Sequence, residues 1–259
     1  MNILQFSAFT DNYIWAIKNK NHLLLVDPGD HRPIEHFFLQ NPSCLLAGIL
    51  ITHHHNDHVG GILDLLDQPF LCDDSKILVN GIKCRSKVPV FGPPSCERFG
   101  VNTIVTEGDI IDWYDLTSKV LDIRGHTEEH LGYYCTTIEG DMPPFVFCGD
   151  TLFAGGCGRV LGGSVSDLFD SLVKLKSLPK KTLVYCAHEY TLNNLNFAVN
   201  IFPDDKEISN RKKNVEICRS RNISTVPSTI EVEIQTNPFY RCLELEQFKE
   251  LRKMKDVWS

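Results

Sequence analysis

Short apolar runs separated by polar turns fill the first two thirds of the chain, and this pattern predicts a series of strands. The first three runs, within residues 3–26, predict a meander. Residues 33–40 then carry apolar side chains at helical spacing, and the continuous apolar run over 45–51 predicts a buried strand. A helix is expected to begin near Ile62. Further strands are predicted over 69–72, 88–91, 103–106, 110–113, 119–123, 132–136, 145–148 and 182–186.

Helical periodicity dominates the last third of the chain. Residues 166–178 place leucines on one side behind a serine cap at Ser164 or Ser166, which predicts a helix. Helical spacing continues from Leu192 to a final helix over 243–255. The interruptions predicted within this region are a loop around 222–227 and a short extended piece over 229–234. The chain is therefore expected to be an α/β protein with a mainly helical C-terminal region.

Composition points to a globular protein of the cytoplasm. The hydrophobic fraction of 42% is ordinary, and no apolar run approaches the ~18 residues of a membrane span. The first fifteen residues contain no Lys or Arg ahead of an apolar stretch, so no signal peptide is predicted. The ten cysteines include no Cys-x-x-Cys pair, so we expect buried thiols and not a disulfide framework. We expect a monomer without a membrane partner.

Charge is distributed unevenly along the chain. The formal net charge is −7, but residues 205–259 carry 11 Lys and Arg against 9 Asp and Glu, so the acidic excess lies in residues 1–204. An acidic body argues against nucleic acid as a partner. The basic tail suits a small anionic ligand.

The strongest chemical signal directly follows the apolar run that ends at residue 51. Four histidines and one aspartate occupy positions within 53–58. Alternate side chains share a face in extended backbone, so we expect His53, His55 and Asp57 to converge while His54 points elsewhere. We expect His58 to face away from that trio, which predicts two metal sites side by side.

Three isolated residues downstream complete the predicted donor set. His126, Asp150 and His188 each follow a predicted strand, and folds with layered sheets build sites at strand ends. Neutral imidazoles and carboxylates suit zinc, iron or manganese better than calcium or magnesium. The predicted metal ligands are His53, His55, Asp57, His58, His126, Asp150 and His188. The other histidines, His22, His31, His36, His54 and His130, are expected at the surface or beside the site.

A glycine-rich stretch occupies residues 155–159. It lacks the Gly-Lys-Ser/Thr ending of a phosphate-binding loop. We therefore expect a loop of close backbone approach next to the metal site.

Four motifs carry a family resemblance, and they are Thr52–Gly61, Gly125-His126-Thr127, Gly149-Asp150-Thr151-Leu152-Phe153 and Ala187-His188-Glu189-Tyr190-Thr191. They resemble the metallo-β-lactamase superfamily and, within it, glyoxalase II, the hydroxyacylglutathione hydrolases. The resemblance implies an αββα sandwich over 1–168 and a smaller, mainly helical substrate-binding domain over 169–259. It also implies two divalent metal ions per chain, with Zn²⁺ expected first and Fe or Mn as alternatives.

The resemblance further implies a role for each ligand. His53, His55 and His126 would hold one metal ion. Asp57, His58 and His188 would hold the second, and Asp150 would bridge them. Asp27 would be a carboxylate that fixes an imidazole from behind.

The substrate implied is S-(2-hydroxyacyl)glutathione, usually S-D-lactoylglutathione, and the products are D-lactate and glutathione in the second step of methylglyoxal detoxification. A metal-bridged hydroxide, oriented by Asp57, would attack the thioester. By the resemblance, the residues that contact the glutathione part are Arg159, Tyr190, Arg252 and Lys255. Leu161 stands where members of the family often have an aromatic residue.

Several alternative functions remain open at this point. The chain could be another hydrolase of the superfamily, such as a lactonase or a β-lactamase. It could also be a persulfide dioxygenase, which uses one iron, or a metal-binding module without turnover. A nuclease would need a basic face, which the acidic body does not offer.

Overall fold

A computed structural model describes residues 1–138 and 142–258 of the chain. Two compact units are present. Unit 1 comprises Met1–Asp122 and Glu129–Met142, and unit 2 comprises Ile123–Glu128 and Pro143–Ser259. Among the described residues, no helix is long and apolar enough to cross a bilayer.

Unit 1 consists mainly of strands. In chain order these are β1 (Asn2–Ala8), β2 (Asn12–Asn19), β3 (His22–Val26), β4 (Leu45–Leu50), β5 (Ile77–Val79), β6 (Ile82–Lys83), β7 (Val90–Gly92), β8 (Thr103–Ile104), β9 (Ile110–Trp113), β10 (Leu116–Asp122) and β11 (Leu131–Thr137). One sheet has the order β1-β2-β3-β4-β7-β8, antiparallel as far as β3 and parallel from there on. The remaining five strands pair antiparallel in the order β6-β5-β9-β10-β11.

The helices of unit 1 are α1 (Arg32–Gln40), α2 (Asn56–Val59), α3 (Ile62–Leu66) and a 3₁₀ helix, Pro94–Phe99. The spacing of Ile34 and Phe38 puts both side chains on one face of α1, and that face packs in a core with Leu25 and Leu46. Phe38 also stacks on Phe70, with ring centroids 3.9 Å apart. Each such side chain stabilises the fold by about 1.5–3 kcal/mol relative to an exposed position. The parallel pair β3 and β4, buried almost throughout, therefore forms a rigid base for the loops that follow them.

Two of the differences between the structure of unit 1 and the prediction concern its strands. The strand predicted over 69–72 is absent from the described chain, where only Leu71 forms a bridge, to Leu46. Pro69 has no N–H and therefore cannot donate a hydrogen bond to a neighbouring strand. The β5–β6 hairpin was not predicted. Its turn residues, Asn80 and Gly81, have φ of 50° and 78°, as a tight Asn-Gly hairpin turn requires.

Unit 2 combines a small sheet with helices. Its strands are β12 (Phe145–Gly149), β13 (Leu152–Phe153), β14 (Gly156–Cys157), β15 (Leu183–Cys186) and β16 (Ser228–Thr229). Its helices are α4 (Val165–Lys176), α5 (Thr191–Ile201), α6 (Lys206–Ser220), α7 (Ile230–Thr236), a 3₁₀ helix, Pro238–Arg241, and α8 (Leu245–Asp256). Strand β12 runs parallel to β15, and β13 pairs with β14 as a hairpin.

Side-chain caps precede α4, α6 and α7 in unit 2, whereas α5 and α8 begin without one. Ser164 caps α4, because its Oγ accepts a hydrogen bond from Asp167 N at 3.0 Å. The extended piece predicted over 229–234 is wrong, since α7 begins at Ile230. The alternation of apolar and acidic residues there imitates a strand, but Thr229 caps the helix by accepting from Val232 N at 3.1 Å.

Aromatic side chains join the last helix to the rest of unit 2. Phe248 of α8 contacts Phe169 of α4 and Phe239, with ring centroids 5.4 and 5.6 Å away. All ten cysteines are free thiols, and seven of them are buried, as predicted for most of them. The aromatic contacts place one face of α8 firmly against unit 2.

Candidate metal and substrate site

The histidine-rich loop of unit 1 begins directly after β4. His53 Nε2 lies 3.0 Å from His55 Nδ1, so these two predicted ligands converge. His58 does not face away from them, because its ring centroid is 4.1 Å from that of His53. That expectation was wrong because α2 begins at Asn56. The helical turn ends the extended alternation and brings His58 back beside His53.

Asp27 and Thr52 fix the imidazoles of unit 1 from behind. Asp27 is buried and accepts from the Thr52 backbone N–H at 2.8 Å, from Thr52 Oγ1 at 2.7 Å and from His58 Nδ1 at 3.0 Å. Thr52 Oγ1 gives its single proton to Asp27 and must therefore accept from His53 Nδ1, 3.0 Å away. We assign both imidazoles as Nδ1–H tautomers, which leaves each Nε2 lone pair available to a metal. The expected supporting role of Asp27 is confirmed.

Other side chains hold the same loop in place. Asn12 Nδ2 donates to Asp57 Oδ2 at 2.9 Å, and Asp57 Oδ2 lies 3.6 Å from His58 Nε2. His130, expected at the surface or beside the site, is buried and stacks on His53 with ring centroids 4.6 Å apart. Gly29 is required because a Cβ there would lie 1.8 Å from the Asp57 carbonyl oxygen.

Unit 2 brings its three predicted ligands together. Asp150 follows β12, His188 follows β15, and all three side chains are buried. Asp150 Oδ2 lies 3.6 Å from His126 Nε2 and 3.3 Å from His188 Nε2. His126 Nδ1 hydrogen-bonds the Arg159 carbonyl oxygen at 2.7 Å. Because a carbonyl only accepts, Nδ1 carries the proton and Nε2 is left for a metal.

Neighbouring donors within each unit are spaced as two ligands of one divalent metal ion would be. Ligand atoms about 2.1 Å from a tetrahedral Zn²⁺ are roughly 3.4 Å from one another. The separations between donor atoms within each unit, 3.0 and 3.6 Å in unit 1 and 3.3 and 3.6 Å in unit 2, lie around that value. The nitrogen and carboxylate donors are those that zinc, iron and manganese accept.

A cavity of about 580 Å³ in unit 2 adjoins its metal donors. His126 and Asp150 line it, and so do all four residues predicted to contact the substrate, which are Arg159, Tyr190, Arg252 and Lys255. Leu161 also lines it and is half exposed. The sequence did not single out Asn193 or Trp258, which belong to the same lining.

The three cations of this cavity differ in their surroundings. Arg159 is exposed, whereas the Arg252 side chain is buried and donates to backbone carbonyls. Lys255 bonds to Asn193 Oδ1. Burial, together with the positive charges of Arg252 and Arg159, lowers the pKa of Lys255 to about 8.

Cys157 is a buried thiol in the cavity lining. Burial raises its pKa to about 11, and this effect outweighs the opposing influence of Arg252. The Cys157 side chain is therefore a neutral thiol at physiological pH.

Known proteins match the chain along almost its whole length. Residues 9–188 match the family model of the metallo-beta-lactamase superfamily, and residues 189–258 match that of the hydroxyacylglutathione hydrolase C-terminus. The hydroxyacylglutathione hydrolase of Edwardsiella ictaluri is 37% identical over 95% of this chain and 89% of its own length. The chain belongs to the hydroxyacylglutathione hydrolase family.

A second hydroxyacylglutathione hydrolase, from Pectobacterium carotovorum, is 37% identical over 98% of this chain and 92% of its own length. Among solved structures, ETHE1 from Myxococcus xanthus is similar in fold, with a TM-score of 0.66 and 23% identity over 100% of this chain and 96% of that one. Membership of the hydroxyacylglutathione hydrolase family confirms the predicted fold class, an α/β metallo-β-lactamase fold followed by a helical C-terminal region.

Proposed function

We propose that this chain hydrolyses S-(2-hydroxyacyl)glutathione to a 2-hydroxy acid and glutathione. S-D-lactoylglutathione is the expected substrate and D-lactate the expected acid, as in the second step of methylglyoxal detoxification. The observation that carries the proposal is the match of residues 189–258 to the C-terminal region of hydroxyacylglutathione hydrolases. That region supplies Tyr190, Arg252 and Lys255 to the cavity beside His126 and Asp150.

We further propose that each chain binds two divalent metal ions, most readily Zn²⁺. His53, His55 and His126 would hold one ion, Asp57, His58 and His188 the other, and Asp150 would bridge them. The Nδ1–H tautomers of His53, His58 and His126 support this proposal, because each presents Nε2 as the donor. When bound, the two ions supply a hydroxide near neutral pH and polarise the carbonyl oxygen of the substrate.

Asp57 is the proposed catalytic residue. Its carboxylate accepts from Asn12 through Oδ2, and this bond limits rotation of the side chain. A carboxylate held in this way accepts a hydrogen bond from the attacking water and directs its lone pair toward the thioester carbon. The leaving thiol has a pKa of about 8.5, so it departs as thiolate without a dedicated general acid.

The cations of the cavity suit the charge of glutathione, which carries two carboxylates and one ammonium. We propose that Arg159, Arg252 and Lys255 attract these carboxylates and that Tyr190 contacts the same part of the substrate. Tyr190 stacks on His188 with ring centroids 4.8 Å apart, so it lies next to a proposed ligand. The bound thioester is then expected to extend from the cationic side of the cavity toward the metal donors.

Three further proposals concern the protein as a whole. We place it in the cytoplasm, which is supported by ten cysteines that form no disulfide. We propose a monomer. We also propose that the substrate-binding domain begins at residue 169 and that residues 1–168 form the metal-binding domain.

One experiment tests the central proposal. Hydrolysis of S-D-lactoylglutathione is followed at neutral pH by the loss of the thioester absorbance, and metal content per chain is measured on the same sample. A β-lactam, a lactone and glutathione persulfide serve as comparison substrates, and oxygen uptake is measured with the persulfide. We expect two metal ions per chain and a preference for the thioester. Turnover of persulfide alone with one iron per chain would contradict the proposal.

A further inference from the structure

The guanidinium group of Arg252, in α8, lies among backbone carbonyl groups. The residue is only 3% exposed, and Nη1 donates to Cys157 O at 3.0 Å and to Gly158 O at 3.3 Å. Nε and Nη2 face Asp256 Oδ1 at 3.1 and 3.0 Å. The guanidinium also lies 5.1 Å from the centre of the Phe239 ring. A buried cation with most of its donors engaged in this way holds the backbone that it contacts.

The backbone that Arg252 holds leads directly to a proposed metal ligand. The next carbonyl after Gly158 is that of Arg159, and it accepts from His126 Nδ1 at 2.7 Å. Leu161 N donates to His126 O at 2.7 Å. Arg159 therefore holds the ring of His126, and Leu161 holds its backbone. Both residues lie within three positions of Gly158, which Arg252 contacts.

The same segment also approaches a second proposed ligand. A Cβ at Gly158 would lie 2.0 Å from the Asp150 carbonyl oxygen, so the segment approaches the Asp150 backbone more closely than a residue with a side chain would allow. Gly158 N donates to Thr151 O at 3.2 Å. The segment is thus closely fitted between the guanidinium on one side and the ligand backbone on the other.

The other end of the 155–159 segment is anchored from the C-terminal third of the chain as well. Gly155 N donates to Glu233 Oε2 at 2.8 Å, and Asn237 Nδ2 donates to Gly156 O at 2.9 Å. With Glu233 and Asn237 holding one end and Arg252 the other, the segment behaves as a fixed acceptor for His126.

We propose that Arg252 is a positioning residue for the metal centre, acting through the 155–159 segment on His126. The proposal rests on the metal ligation proposed above. It adds a requirement that a contact with glutathione alone would not impose, namely that a residue of the last helix controls metal retention. Partners that orient a ligating histidine typically change metal affinity by about 10–100-fold when they are removed.

The test compares three variants of the metal-loaded full-length chain. Arg252→Met keeps the length of the side chain and removes its donors. Lys255→Met removes the neighbouring cavity cation, and Lys253→Met removes an exposed cation of the same helix. Metal retention is measured against increasing chelator, and the Co²⁺-substituted protein gives an absorption spectrum that reports ligand geometry.

For Arg252→Met we expect about a tenfold or greater loss of affinity at one of the two metal positions and a changed Co²⁺ spectrum. Lys255→Met should raise KM without changing metal affinity, and Lys253→Met should match wild type. If Arg252→Met raised KM but kept wild-type metal affinity and spectrum, Arg252 would be a substrate contact only and the proposal would fall.

A destabilised fold could imitate metal loss, and Phe248→Leu controls for it. Phe248 packs α8 against the aromatic core but does not contact the 155–159 segment through a hydrogen bond. At a similar loss of thermal stability, Phe248→Leu should retain metal where Arg252→Met does not. Equal metal loss in both variants would overturn the proposal. Failure of the proposed function itself would be visible in the wild-type chain, as absent metal or absent thioester turnover.

If Arg252→Met does not fold, Arg252→Lys provides the second comparison. A single ammonium cannot reproduce the guanidinium contacts with two carbonyls and Asp256 at once, so we expect an intermediate affinity between wild type and the loss described. Wild-type affinity and an unchanged Co²⁺ spectrum in Arg252→Lys would also count against a positioning role.

Discussion

Replacing Thr52 by valine would test whether the hydrogen bonds behind His53 support metal binding. Valine keeps the branched shape of threonine, so packing at this fully buried position is preserved. The change removes the bond from Thr52 Oγ1 to Asp27 and the acceptor that this oxygen offers to His53 Nδ1. The backbone bond from Thr52 N to Asp27 remains.

The expected magnitude follows from these two contacts. A hydrogen bond to a charged group contributes about 1.5–3 kcal/mol, and a buried donor that loses its acceptor costs about 1–3 kcal/mol. The two effects overlap, because they share one hydroxyl. We therefore expect the free energy of unfolding to fall by about 2–4 kcal/mol and metal affinity at His53 to fall by about 10–100-fold.

Urea unfolding and chelator competition would measure the two effects on the same preparations. Thr52→Ser keeps the hydroxyl and should retain metal affinity near that of wild type. Thr182→Val is the matched control, because Thr182 is also buried and its hydroxyl has no hydrogen-bond partner among the described residues. Metal affinity in Thr52→Val equal to that in Thr182→Val would refute the reasoning.

Three further changes address the proposed ligands and the cavity. Asp150→Ala should remove most bound metal and nearly all turnover, whereas His54→Ala should leave both near wild type; equal damage would mean that the ligand assignment is wrong. Asp57→Asn keeps a donor oxygen but loses its charge, so weaker metal occupancy and a large fall in kcat are expected, and a full rate would exclude a role for Asp57. Because the pKa of Lys255 is lowered to about 8, kcat/KM should decline as pH rises through that value and the ammonium is lost. Lys255→Met should lack this decline, and an identical pH profile in both proteins would contradict it.

The sequence was most informative where chemistry is concentrated in a short stretch. The convergence of His53 with His55, and of His126, Asp150 and His188 with one another, follows from side chains placed at strand ends. The end of a strand can be predicted from the sequence because a local apolar run is enough to indicate the strand. The orientation of His58 could not be predicted, since it depends on where a short helix begins within the loop. The boundaries of helices and strands are the features that a sequence predicts least accurately.

Tertiary contacts account for the other differences. The acidic and apolar alternation of residues 229–234 favours a strand locally, but a threonine cap and the burial of Glu233 fix a helix. From the local sequence, Arg252 would be expected to lie exposed on the surface of a basic helix. Its burial depends on two carbonyls almost a hundred residues earlier in the chain, and no local pattern predicts that contact. Asn12 is a similar case, because its partner, Asp57, is 45 positions away.

The neutral thiol in the cavity lining has a consequence for redox chemistry. If glutathione is released here, an enzyme with a reactive cysteine at this place would exchange disulfides with oxidised glutathione and become blocked. Such exchange requires a thiolate. With a pKa of about 11, Cys157 is ionised at neutral pH in only about one molecule in ten thousand. The cavity therefore carries sulfur in a form that resists glutathionylation at this position.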